Sequence, residues 1–190
     1  MIWLCSVLLA AVSLSCHAEA NYVEGSREPF QLYGYGNNIG GLNVFSLGGI
    51  VYLGDYRKTN DSQAAPLIIT PVNPESNSCT WLGSPNTTDL VDHASPPTWS
   101  NRTFAIPASN SSSTEVGLVA TNHDTVDMLT MGFEFYGNVV FFLNKQKALC
   151  SRFYAVPTAM DGVYSLQWNV TDKEAAHVVP LALKRIPPSH

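Results

Sequence analysis

The sequence predicts an all-β chain, folded as an antiparallel β-sandwich or barrel of about ten short strands. Three observations lead there. Thr130 to Leu143, TMGFEFYGNVVFFL, alternates apolar and other residues on both sides of a Gly137-Asn138 pair, which is the pattern of a half-buried hairpin with a tight turn. Other apolar runs recur at intervals of about 8 to 12 residues with Gly, Asn and Pro between them, as short strands joined by turns do. Beyond the N-terminal segment, no window longer than a turn or two carries the apolar spacing of an amphipathic helix.

The chain begins with an apolar run, Leu4 to Leu14, followed by Ala18-Glu19-Ala20. The run is too short to span a bilayer, and the alanines occupy the positions that a signal peptidase reads. Residues 1–20 are therefore expected to be a secretory signal peptide and 21–190 a single domain. Phe30 to Tyr35 reads as a strand with Phe30 and Leu32 on one face and Gln31, Tyr33 and Tyr35 on the other. Gly36 to Gly41 has the composition of a turn. Leu42 to Leu47 and Ile50 to Leu53 form a hairpin around Gly48-Gly49. Leu67 to Val72 is β-branched but broken by Pro71, which suits an edge strand.

Cys79 falls in a short extended piece with Trp81 and Leu82. In residues 83–114, 19 of 32 are Ser, Thr, Pro or Asn. Such a segment has little to bury and is expected to be a glycosylated surface excursion, with Thr103 to Ile106 as its one strand. Val116 to Thr121, the central hairpin, Arg152 to Val156, Val163 to Trp168 and Val178 to Lys184 supply the remaining strands, with a turn at Asp161-Gly162. In the hairpin, Met131, Phe133 and Phe135 form one alternating set, continued by Val139, Phe141 and Leu143.

Loss of residues 1–20 would remove Cys5 and Cys16 and leave Cys79 and Cys150. In an oxidising compartment that pair suggests one disulfide, with a chain-entropy contribution of roughly 4 kcal/mol as an upper figure. Two buried free thiols are the alternative. N-glycosylation sequons begin at Asn60, Asn86, Asn101, Asn110 and Asn169, in keeping with export.

The formal net charge is −5, and no basic run is longer than Lys184-Arg185. That argues against nucleic acid and anionic membrane surfaces as partners. The closing LALKRIPPSH lacks the apolar tail of a GPI signal, so neither a membrane span nor such an anchor is expected. The run QLYGYGNNIGGLNVFSLGGIVYLGD, with GFEFYGNVV, RFYAVP, DGVYSLQWN and VPLALK, resembles a group of small secreted fungal extracellular proteins of unknown function. That resemblance covers most of the mature chain. It implies a secreted β-rich domain and carries over no site.

Candidate chemistry is sparse. Asp89, Asp92 and His93, and likewise His123, Asp124 and Asp127, place carboxylates beside imidazoles, but neither spacing is that of a metal site, and Asp commonly caps polar turns. No metal or cofactor is expected. Glu134 is the single catalytic candidate; a glycosidase-like hydrolase would need a second carboxylate across a cleft, and none is identifiable. Tyr33, Tyr35, Tyr52, Trp81 and Trp99 fall near turns or on mixed faces, where rings can stack on sugars. The competing reading is that Trp81 packs on the disulfide and the tyrosines fill the ends of the fold. The expected function is thus a secreted noncatalytic extracellular or cell-wall-associated protein contacting polysaccharide or another surface component. A small secreted hydrolase and an effector-type interaction protein are the alternatives, and the sequence does not fix the oligomeric state.

Overall fold

The computed structural model describes residues 28–74, 79–88, 96–121, 127–171 and 177–189. The expected leader lies outside these residues, as do Asp89, Asp92, His93, His123 and Asp124. β1 (Phe30–Gln31) and β2 (Tyr33–Gly36) form one extended segment interrupted at Leu32. Asn37 and Asn38, the latter at φ 58°, turn the chain into β3 (Ile39–Leu47). The turn expected over Gly36 to Gly41 is therefore confined to Asn37 and Asn38. The reason is a bulge: Gly34 faces Leu42 and Tyr35 faces Gly40, so Gly41 is the extra residue, at a φ of 92° that favours glycine.

Gly48 and Gly49 both have positive φ and lead into β4 (Ile50–Leu53), as the sequence predicts. A 3-10 turn at Tyr56–Thr59, capped by Asp55, is the helical element among the described residues. The chain continues through β5 (Ala65–Val72), β6 (Thr80–Pro85), β7 (Arg102–Pro107), β8 (Gly117–Val119), β9 (Met128–Leu129) and β10 (Phe133–Tyr136). It ends with β11 (Val139–Leu143), β12 (Leu149–Cys150), β13 (Phe153–Pro157), β14 (Tyr164–Trp168) and β15 (Val179–Lys184).

Strand pairing runs β15-β13-β14-β4-β8-β7-β6-β5-β3-β2 and returns to β15 where Leu181 to Lys184 face Gly36 to Tyr33. The fold is thus all-β, a closed antiparallel barrel of ten strands with additional strands outside the ring. β3 and β4 also pair with each other, so their hairpin is common to two six-stranded circuits. Both faces of that hairpin are buried. Val44, Val51 and Leu53 join the main core, while Phe45, fully buried, stacks on Tyr52 at 5.5 Å in a smaller cluster with Ala64 and Val163.

Three expectations change. β5 is flanked on both sides over most of its length, by β6 on one and by β3 and β1 on the other. Pro71 is tolerated because it lies past Ile69, the last residue of β5 that β1 covers, where the missing N–H has no ladder partner to lose. The excursion is also shorter than its composition suggests. β6 runs to Pro85, and Thr103 to Pro107 of β7 are all buried, so Ser, Thr and Pro there belong to the barrel wall.

The hairpin forms as expected but with a different inward set on its second strand. Gly137 at φ 60° makes a two-residue turn that pairs Tyr136 with Val139. Phe133 and Phe135 then face Phe142 and Val140, and these four pack on the core. Val139, Phe141 and Leu143 belong to the other face, where the ring of exposed Tyr136 meets Phe141 edge-on.

Candidate functional site

The strands outside the ring gather on one side of the barrel. β9 pairs with β7, β12 pairs with β11, and the β10–β11 hairpin joins the ring through Val139 facing Lys184 and a bridge from Met131 to Thr80. Residues of this flap and of the barrel wall together line a partly open cavity of about 1130 Å³. Trp81, Phe133, Phe135, Phe142 and Trp168 contribute aromatic lining.

These rings pack on one another rather than standing alone. Trp81 stacks on Phe133 at 5.1 Å and Phe135 at 5.3 Å, and Phe142 meets Trp168 edge-on at 5.9 Å. Edge and offset contacts of this kind hold the rings in fixed orientations. Pro71, Pro74, Pro107, Leu129 and Met131 extend the apolar lining, with Met131 49% exposed.

The polar lining comes largely from one loop. Asn144 Oδ1 accepts from the backbone N–H of Gln146 and of Ala148, each at 2.9 Å, and Lys147 takes a left-handed φ of 59°. The turn so fixed brings Lys145, Gln146 and Lys147 to the cavity. Arg152 donates to Asn169 Oδ1 at 3.0 Å, and Arg185 donates to Asn138 Oδ1 at 3.0 Å while its guanidinium lies 4.9 Å from the Phe135 ring centre. Both arginines also line the cavity.

Cys79 and Cys150 line the same cavity as half-buried free thiols. The expected disulfide between them is not formed, because two strands stand in the way. Thr80 bridges Met131, whereas Cys150 faces Phe142, which faces Phe133. Roughly three strand spacings, on the order of 14 Å along the sheet, separate residues whose Cα atoms would need to lie within about 7 Å. Burial pushes the Cys79 thiol pKa up, against a hydrogen bond from Trp81 that lowers it, and the charge of Glu134 raises it further.

Glu134 sits half-buried on β10 facing Phe141 and lines the cavity. No second carboxylate lines it among the described residues. Of the five candidate aromatics only Trp81 is there, 2% exposed and covered by its neighbours. Trp99 is buried away from the cavity, its indole N–H donating to Gln63 O at 2.7 Å. Tyr33 donates to Gln31, and Tyr35 donates to Ile186 O under the Lys184 ammonium. Tyr52 is occupied by Phe45. The five therefore form no row.

Asn60, Asn101 and Asn110 are exposed, and Asn86 and Asn169 are half-buried; Asn110 and Asn169 also line the cavity. Among the described residues no three His, Cys, Asp or Glu side chains gather as a metal site, and no helix is long and apolar enough to cross a membrane. Phe142, Trp168 and the four cationic residues are the members that sequence reasoning missed. They are scattered from residue 142 to 185 and meet only through strand pairing. Compared with models of known families, with curated proteins and with solved structures, the chain matches none.

Proposed function

We propose that the chain is a secreted, N-glycosylated, noncatalytic extracellular or cell-wall-associated protein that holds a small apolar or amphipathic molecule in the cavity beneath the β10–β11 flap. The observation that carries this is a space of about 1130 Å³ with aromatic and proline lining, just above the roughly 300 to 1,000 Å³ usual for ligand sites. Export is supported by the apolar leader and by five sequons, three of them on exposed asparagines. A polysaccharide partner would need open ring faces in a row, but Trp81 and Trp99 are buried, and Tyr35 and Tyr52 each have one face taken, by Lys184 and Phe45. The cavity is therefore the better-supported seat for a ligand.

The test is a titration of the secreted protein with N-phenyl-1-naphthylamine, a neutral probe that brightens in apolar surroundings. The expected result is saturable binding at one site, with quenching of Trp81 and Trp168 emission, weakened about tenfold by Met131→Arg at the exposed part of the lining. Absence of saturable binding refutes the reading. Release of soluble sugar from insoluble β-glucan or chitin, abolished by Glu134→Gln, would replace it with a hydrolase.

A further inference from the structure

The chain and the described lining of its cavity carry net charges of opposite sign. Acidic residues outnumber basic ones 15 to 10 over the sequence. Around the cavity, Lys145, Lys147, Arg152 and Arg185 stand against Glu134 alone among the described lining residues. Four of the ten cationic side chains thus collect at one site in an acidic chain. Among the described residues none of the four forms an ion pair, the one recorded being Arg57 with Asp55.

The two arginines are held by neutral amide oxygens, those of Asn169 and Asn138. Their positions are fixed without a carboxylate partner among the described residues. The lysines ride on the turn that Asn144 organises, and Lys147 keeps a left-handed backbone there. Such a conformation is uncommon for a residue with a long side chain. A cationic polar lining beside an aromatic one is complementary to a molecule with an apolar body and a negative head.

We infer that the cavity selects anionic amphiphiles, with the head group at Lys145, Lys147, Arg152 and Arg185 and the apolar body against Phe142, Trp168 and Met131. This inference rests on the cavity being the ligand site. It adds the sign of the ligand's charge, which the apolar lining alone does not determine. The occupant is a free, single-chain amphiphile with a carboxylate or phosphate head.

The experiment displaces N-phenyl-1-naphthylamine with dodecanoate, dodecyl phosphate and dodecan-1-ol, which share one apolar tail. At low salt the anions should displace the probe at concentrations at least about tenfold lower than the alcohol does. That advantage should shrink at about 0.5 M sodium chloride, where exposed charges are screened. In Lys145→Gln/Lys147→Asn, whose asparagine tolerates the left-handed φ, the anions should weaken toward the alcohol while the alcohol is unchanged. Arg102→Glu, exposed and away from the cavity, should leave the ratio as it was.

Equal displacement by all three tails overturns the charge selection and leaves the cavity reading standing. Failure of the probe itself to bind overturns both. Binding to phosphatidylglycerol vesicles without displacement by free dodecanoate or dodecyl phosphate assigns the cations to a membrane surface and overturns the inference.

Discussion

Replacing Trp81 by alanine tests whether the flap is held to the barrel by ring packing. The indole is 2% exposed, and its ring centre lies 5.2 Å from Phe30, 5.1 Å from Phe133, 5.3 Å from Phe135 and 6.1 Å from Phe104. One side chain on β6 therefore joins β1, β7 and β10. Truncating a buried tryptophan costs about 3 to 5 kcal/mol. The aromatic pairs it makes, worth roughly 0.5 to 1.5 kcal/mol each, place this site toward the upper end, near 4 to 5 kcal/mol. Against a domain stability of roughly 5 to 15 kcal/mol that is a large share. Trp81→Leu keeps part of the apolar volume and should cost about half as much.

The assay is urea denaturation, followed by far-ultraviolet circular dichroism and the emission of Trp99 and Trp168, with hydrogen exchange on the same samples. Amides of β10 and β11 should lose protection more than those of β13 and β14, because the flap has few ladder contacts of its own with the ring. A loss below about 1 kcal/mol, with β10 and β11 still protected, would show that the ring cluster does not hold the flap.

Two glycines should respond differently to alanine. Gly54 has φ 126°, and a Cβ there would lie 2.5 Å from Gly162 O, so Gly54→Ala should cost about 3 kcal/mol or more; Gly137, at φ 60° with open space around it, should cost about 1 kcal/mol. Thermal denaturation midpoints compare them, and equal losses would mean that the 161–162 turn yields. Because burial raises the Cys79 pKa, its alkylation by iodoacetamide should follow a pH profile displaced upward from that of a peptide thiol, and Glu134→Gln should move it back down. The folded pKa exceeds the unfolded one, so the stability linked to Cys79 is complete below the unfolded thiol's pKa and is lost as pH rises through the folded value. A peptide-like alkylation profile would show that burial does not govern the thiol.

What the sequence made legible was local. The Gly48-Gly49 and Gly137-Asn138 turns and the strands beside them follow from two-residue turn chemistry and period-2 alternation, which involve only neighbouring residues. The inward set of β11 was not legible, because the turn fixes the register and one residue of register exchanges the two faces. Pro71 suggested an edge when its strand is covered on both sides up to Ile69. The cavity could not be read at all. Pro71, Phe142, Arg152 and Arg185 share no spacing, and only the folded topology brings them together. Trp81 was singled out for an open ring face, yet its environment, set by three other strands, covers it.

The β3–β4 hairpin common to both circuits has a consequence for the order of folding. One circuit draws its other strands from β5 to β8 and is complete in sequence by Val119. It can close on the hairpin while the rest of the chain is still being made. The second needs β13, β14 and β15, and its last contacts include the bond from Tyr35 to Ile186, which spans 151 residues. Loop-closure entropy and the rate penalty of non-local pairing fall almost wholly on that step. The hairpin would then act first as a scaffold for the early circuit and afterwards as the template on which the late one docks, leaving β2 an open edge for pairing with other chains until Lys184 arrives.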